Sequence, residues 1–404
     1  MAITVYTGLS TGFVMFHRLV YILVVTTVLS FIWNWTSLKA LDVSVERRSR
    51  KVNVGNDVEE RITVRNLGRL PKPVLEVEDM TDLPGYATGM AVAPASRGFR
   101  SWKTSTPARK RGLYTMGPVR VSNTDVFGMF RREQTFGGTD SLIVYPRTFD
   151  VDGFDIPAAY LSGDGSRRRR SHDLTPHAAS VREYAFGDSI SRVHWNSTAR
   201  LGKLMSKQFD LSTSSDVWLF VDLFRDIQAG EMEESTDEYA VSIAASLAEK
   251  YLGAQLPLGL VAYGDKRHFL SPDTGPGQLD RVMETLAASK AEGDVPLETA
   301  LAREEQLWGY QSSLVVITSS HRRLWVTALE ELTKRRVSIA VVLVDGRSFG
   351  GVFHTLDVVS HVYDAGVTPY VVSMGDDMAE AMRRPYTVPG LGVSEESVAA
   401  AARR

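Results

Sequence analysis

The chain has 404 residues, a net charge of −2 and no cysteine. That length suits two or three domains. The near-zero charge supplies no global field to draw nucleic acid, and the missing thiols exclude disulfides, thiolate metal sites and cysteine nucleophiles.

Leu19 to Trp35 reads LVYILVVTTVLSFIWNW, without a charge. At 1.5 Å rise this run reaches about 26 Å, and Phe13–Phe16 can extend it toward the ~30 Å of a bilayer core. Arg18 can snorkel to the headgroups, and Trp33 and Trp35 stand where an aromatic belt belongs. The expectation is one membrane helix over about 13–35, within an anchor of 1–40 that contacts the lipid bilayer. A cleaved signal peptide fits less well, because Leu38 occupies the small-residue position two before Ala40. Lys39, Arg47, Arg48, Arg50 and Lys51 follow the segment, whereas His17 and Arg18 precede it. The positive-inside rule therefore predicts a single-pass cell-membrane protein with its soluble domains in the cytoplasm.

Residues 41–148 change character. LDVSVERRSRKVNV and VEERITVRNLG alternate apolar and polar positions, as half-buried strands do. RGLYTMGPVRVSN and SLIVYPR follow, with Gly, Pro and Asn between them. This predicts a β-sandwich-like domain. Phe127-Gly128-Met129-Phe130, after Thr124-Asp125, reads as a corner where the chain changes direction.

Residues 149–214 read as a linker followed by a compact segment. The run Arg167–Arg170 suits phosphate or anionic lipid, but a solvated loop charge explains it as well. His172 and His177 are five apart, off any shared helical face, and no acid trio joins them into a metal site.

From residue 215 the pattern becomes α/β. DVWLFVDL (216–223) is the apolar run of a buried parallel strand. Further strands are predicted at 257–263, 313–319, 337–345 and 369–374, and helices at 237–255, 278–289, 297–308 and 322–335. Strands alternating with helices predict a doubly wound parallel sheet over 215–384, with a flexible tail at 385–404. No glycine-rich phosphate loop follows the first strand, so nucleotide binding is not expected.

This order, with Asp222 ending the first strand, resembles a von Willebrand factor A domain. Such domains often bind Mg²⁺ through Asp-x-Ser-x-Ser with a Thr and an Asp from later loops. Here Phe224 and Asp226 replace both serines, Val295 stands where the Thr would be, and Thr318-Ser319-Ser320 lacks the later Asp. Asp222 and Asp226 are thus degenerate metal-site positions. No metal and no cofactor are expected, since hard cations need several oxygen ligands.

Between the two soluble domains lies REYAFGDSISRVHWNSTARLGKL (182–204). Ser180–Tyr184 reads as a strand, and Gly187-Asp188 as a turn. Asp188 is set to cap a helix over about 189–200, with Gly202 as its C′ residue. Arg182, Glu183, Tyr184, Gly187, Asp188, Arg192, His194, Trp195, Ala199 and Arg200, with Gly202-Lys203-Leu204, resemble the signature of the bacterial and archaeal "domain of unknown function 58" family. Arg111-Gly112-Leu113-Tyr114-Thr115-Met116-Gly117-Pro118, with Thr124-Asp125 and Phe127-Gly128, and Val144-Tyr145-Pro146-Arg147 carry weaker likeness. The resemblance implies a membrane-anchored protein with a β domain and a von Willebrand A-like domain, working with a MoxR-type AAA+ ATPase. Such families often have two membrane helices. Met1–Phe16 is too short and polar for another, which implies a lost helix or an upstream start.

The expected function is a non-enzymatic scaffold or adaptor for protein–protein interaction in assembly or maturation. The alternatives are a hydrolase-like enzyme using the Glu183/Asp188/His194 region and a surface adhesin. The signature charges have two readings: a structural lock between domains, or a partner-docking surface.

Overall fold

The computed structural model describes residues 14–86, 89–154, 180–183, 195–208, 216–309 and 312–387. Helix α1, Val14–Ser37, contains neither proline nor glycine. Its His17–Ser37 stretch is long and apolar enough to cross a bilayer. Its last turns carry a polar stripe. Ser30, Asn34 and Ser37 share one face by helical spacing and are buried at 8, 5 and 2% exposure. Ser30 Oγ donates to Asp125 (2.7 Å), and Asn123 Nδ2 donates to Asn34 Oδ1 (3.0 Å). The helix ends on the β domain, with Leu38 inside that domain's core.

That domain contains β1 (Leu41–Arg47), β2 (Lys51–Asn53), β3 (Asp57–Asn66), β4 (Leu75–Asp79) and β5 (Met90–Val92). It continues through β6 (Phe99–Pro107), β7 (Gly112–Met116), β8 (Val119–Thr124), β9 (Arg131–Phe136) and β10 (Asp140–Tyr145). The sheets are β1-β3-β6, β5-β4-β8-β9 and β2-β10-β7. In β3 burial alternates almost strictly, because successive side chains point to opposite faces. Ile62 and Val64 from one sheet meet Leu75, Val77, Val119 and Val121 from another, so two sheets pack face to face. Across their rim, Arg47 pairs with Glu60 (2.9 Å), Asp79 (2.8 Å) and Asp140 (2.7 Å).

Two short strands, β11 (Ser180–Glu183) and β12 (Met205–Gln208), pair antiparallel around helix α2 (Trp195–Leu201). The α/β part follows. It comprises β13 (Val217–Asp222), a small hairpin β14 (Gly230–Glu231) and β15 (Glu234–Ser235), α3 (Thr236–Gly253), β16 (Leu258–Tyr263) and β17 (Arg267–Asp273). Next come α4 (Gln278–Ala288), α5 (Leu297–Glu304), β18 (Ser313–Thr318), α6 (Leu324–Lys334), β19 (Ser338–Val344), α7 (Val359–Asp364), β20 (Thr368–Val372) and α8 (Met378–Ala381). The main sheet runs β17-β16-β13-β18-β19-β20. All its neighbours are parallel except β17, which pairs antiparallel with β16. Alternate residues of β13 feed two cores. Val217, Leu219 and Val221 meet α3 and α4, while Trp218 and Phe220 meet α5 and α6. A sheet buried on both faces explains why its strands read as continuous apolar runs.

The edge strand β17 was not foreseen, and the helix expected to reach Trp308 stops at Glu304, followed by a 3₁₀ turn over Glu305–Leu307. Residues just after 148, read as linker, pack into the α/β core. Val151 and Phe154 are buried there, and Lys250 Nζ donates to both their carbonyls (3.0 and 2.6 Å).

The β domain meets the α/β domain at one buried cation. The Arg111 side chain is 3% exposed and pairs with Glu238 (2.5 Å) and Asp237 (3.3 Å) at the start of α3. It also donates to the carbonyls of Leu286 and Ser289, both at 3.2 Å, at the end of α4. Nearby, the half-exposed Lys51 pairs with Glu284 at 3.0 Å. Arg111→Ala strands the buried Glu238 carboxylate and two helix-end carbonyls, so stability should fall by about 3–5 kcal/mol. Lys51→Ala should cost under about 1 kcal/mol, because its pair is screened by solvent. Urea unfolding of the detergent-solubilised protein checks both values.

Candidate functional site

The signature region is only partly in view. Strand β11 sets Arg182 opposite Ser206 and Glu183 opposite Met205 on β12. Gly202 terminates α2 with φ of 67°, and its N–H bonds Thr198 O at 3.0 Å. That is the C′ role expected of it, since a residue with a Cβ is strained there. Thr198 Oγ1 accepts from Met205 N (3.0 Å), tying helix to strand. Ala199 and Arg200 are exposed. Tyr184, Gly187, Asp188, Arg192 and His194 lie outside the described residues, as do the expected cap and the helix start at 189. For Arg182, Glu183 and Trp195 the backbone alone is described.

The lock expected from these charges has a described counterpart elsewhere, in Arg111. That residue opens the block RGLYTMGP, whose likeness to the family was noted without a role for its arginine. Burial pushes the Glu238 carboxyl above its ordinary value, against the pull of the Arg111 charge. Two acids opening α3 and two carbonyls closing α4 surround one guanidinium. This is cation binding at helix ends turned to domain docking.

The second region is where the main sheet reverses direction. Strand β13 lies between β16 and β18, so connections on its two sides diverge and leave a crevice beyond the strand C-termini. Asp222 ends β13 there, 1% exposed. Thr318 Oγ1, ending β18, donates to its Oδ2 (2.7 Å), and Phe224 N donates to its Oδ1 (3.2 Å). Burial pushes the Asp222 carboxyl up to about 6, with both hydrogen bonds opposing the rise. Asp226 is exposed and pairs with Arg225 at 3.7 Å, whereas Asp222 is buried. Among the described residues, no group of three His, Asp or Glu side chains could hold a metal ion.

Neighbouring loops are tied to one another. Thr355 Oγ1 donates to Ser319 O and accepts from Gly346 N, both at 3.1 Å. Arg322 lies over the Phe224 ring at 5.2 Å and pairs with Glu298 at 3.5 Å. Ser319 Oγ and Asp345 Oδ1 are buried without a hydrogen-bond partner among the described residues. The rim is apolar. Phe353 stacks on His321 with centroids 4.0 Å apart, and Val352 (88%), Leu324 (69%) and Phe353 (55%) are exposed. Burial and the Arg322 charge hold His321 below its ordinary value, which keeps it neutral at pH 7. This rim was not legible in the sequence, because Leu324 opens α6 after β18 whereas Phe353 lies in the loop after β19.

A polar cleft of about 430 Å³ opens at the end of β16. In it, Glu304 accepts from Arg267 (2.5 and 2.8 Å) and from Tyr263 Oη (2.6 Å). The Arg267 hydrogen bonds hold Glu304 below the usual carboxylate range. A carboxylate engaged at both oxygens is a weak general base.

With this geometry in hand, the chain can be set beside known proteins. The family described as "Protein of unknown function DUF58" matches residues 180–349. The "Uncharacterized protein YeaD" of Bacillus subtilis (strain 168) is 24% identical over 279 residues, covering 66% of this chain and 67% of that protein. Both support the family reading drawn from the signature. Among solved structures, the CARDB domain of a Pyrococcus furiosus protein is 18% identical with a TM-score of 0.21, covering 26% of this chain and 94% of that one. Proximal thread matrix protein 1 of the mussel byssus is 10% identical with a TM-score of 0.30, covering 42% and 45%. At such scores neither likeness bears on fold or function.

Asp222 has a measurable signature. Between 3.8 and about 6 the folded chain holds a proton that the unfolded chain has released. Stability therefore falls as pH rises through this window, by about 3 kcal/mol in all. Asp222→Asn should match the parent below pH 4 and exceed it at pH 8 by up to about that amount, read by urea unfolding at both pH values. Mg²⁺ should leave the parent's melting temperature unchanged, since both Asp222 oxygens already accept from protein donors.

Proposed function

We propose that this protein is a membrane-anchored, non-enzymatic scaffold whose C-terminal part is a von Willebrand A-like domain that docks a protein partner. Supporting the domain reading are the six-stranded order β17-β16-β13-β18-β19-β20 with one antiparallel strand and an aspartate ending the first strand. Supporting the anchor are the length and apolar composition of α1. The basic residues that follow it favour cytoplasmic soluble domains.

The observation that carries the docking reading is the state of the strand-end crevice. Asp222 is engaged by Thr318 and Phe224, while the rim exposes Val352, Phe353 and Leu324. A ligand-binding position closed over its own carboxylate, with an apolar rim, suits a protein surface better than an ion. The partner follows from the family resemblance alone: a MoxR-type AAA+ ATPase, in assembly or maturation of other proteins. The signature charges from Arg182 to Arg200 are then either part of the same surface or a second brace between domains.

The test is affinity capture by the tagged full chain from solubilised membranes, with mass spectrometry of what is retained. Wild type should retain a AAA+ ATPase. Val352→Asp with Phe353→Asp should lose at least tenfold of it, about 1.4 kcal/mol or more, at unchanged melting temperature. Arg192→Ala separates the two readings of the signature: a large fall in melting temperature marks a brace, and lost capture at constant melting temperature marks docking. A hydrolytic activity of the pure protein that His194→Ala abolishes would overturn the scaffold.

A further inference from the structure

The β8–β9 hairpin runs beside the last two turns of α1, and its tip points along the helix toward the helix N-terminus. Asn123 contacts Asn34 and Arg132 contacts Trp35, whereas Asp125 contacts Ser30 and Phe130 contacts Phe31. Each step toward the tip is a step away from the cytosolic end of the helix. The tip side chains turn outward: Val126 is 89%, Phe127 62% and Met129 47% exposed. No charged side chain stands between Asp125 and Arg131. The Asp125 carboxylate is itself enclosed, accepting from Ser30 Oγ (2.7 Å), Phe127 N (3.2 Å) and Phe130 N (2.6 Å). Gly128 makes the turn possible at φ of 68°.

Charges mark the level of the headgroups. The Lys39 ammonium lies 5.2 Å and the Arg132 guanidinium 4.6 Å from the Trp35 ring. Lys72 Nζ donates to the carbonyls of Thr36 (2.9 Å) and Lys39 (2.6 Å). These cations gather around the end of α1, beside the aromatic residues that favour the interface. Ser30 stands five residues nearer the membrane centre than Trp35, which is about 7.5 Å along the helix. Apolar groups held in the interface sink about 5–10 Å past the headgroups, the depth at which the tip sits.

We propose that residues 126–129 insert into the bilayer interface beside α1, as a second membrane contact that fixes the β domain's orientation to the membrane. This rests on α1 being a membrane helix. The occupant is lipid rather than protein because the exposed tip adjoins the apolar helix α1 through the Phe130–Phe31 ring contact, and Phe31, Ile32 and Trp33 there are each about half exposed. A helix alone leaves a domain free to swivel about its axis. A wedge held to the helix by the Ser30–Asp125 and Asn34–Asn123 hydrogen bonds removes that freedom, and the α/β domain, braced through Arg111, follows.

The absence of cysteine permits single-site labelling of the full chain. Val126→Cys, Phe127→Cys, Tyr21→Cys and Leu113→Cys would each carry an environment-sensitive fluorophore. Each is reconstituted in phosphatidylcholine–phosphatidylglycerol vesicles with nitroxide-labelled lipids. Tyr21 reports the helix, and Leu113 is an exposed apolar control on β7, at the far junction. The expected result is blue-shifted, nitroxide-quenched emission at 126 and 127, as at 21, and water-like unquenched emission at 113. Water-like emission at both tip positions with quenching at 21 overturns the wedge and leaves the anchor standing. A blue shift at the tip without nitroxide quenching also overturns it, because protein then covers the tip. If position 21 is unquenched and alkaline carbonate extracts the chain, the membrane reading itself fails and the wedge falls with it.

Discussion

One buried guanidinium joins the two soluble domains. Arg111 is held between the acids that open α3 and the carbonyls that close α4. Each of those groups is costly to bury alone. Together they engage all three nitrogens of one fork, and the arrangement fixes Arg111 against α3 and α4. A purely apolar junction would tolerate sliding, whereas a forked donor with four partners does not. The Lys51–Glu284 pair and the packing of Tyr145 into the α/β core brace the same junction.

The same device recurs on the other side of the β domain. There Ser30 and Asn34 of the polar stripe on α1 bond the β8–β9 hairpin, while Ser37 Oγ donates to Asn34 O. Polar groups on an apolar helix are expensive unless paired. Their partners on the hairpin make the helix an extension of the sandwich rather than a tether. At the strand ends of the main sheet, Asp222 and Thr318 clamp the two strands between which the sheet order reverses. The buried Asp222 carboxylate ties the end of β13 to the end of β18.

Much of the α/β architecture is legible in the sequence, because a sheet covered on both faces needs unbroken apolar strands. DVWLFVDL and SLVVIT could be little else. The edge strand Arg267–Asp273 was missed because one face of it meets solvent and its alternation is short and interrupted by Pro272. The corner at Phe127-Gly128 was visible from its turn residues, but its place beside helix α1 was not. Of the candidate site, Asp222 stood out as an acid ending a buried strand. Its partner Thr318 is 96 residues away, and no local pattern announces the pairing.

The sequence by itself determined the apolar helix, the β-rich and α/β halves, the glycine that ends α2 and the family signature. These follow from local rules, in which periodicity sets burial and backbone freedom sets turns. Tertiary structure alone decided that Arg111 braces the domains, that Thr318 closes over Asp222 and that the polar stripe on α1 meets Asp125 and Asn123. Each of these unites residues distant in the chain. Their value comes from desolvation and charge neutralisation at one place, which spacing along a sequence does not encode.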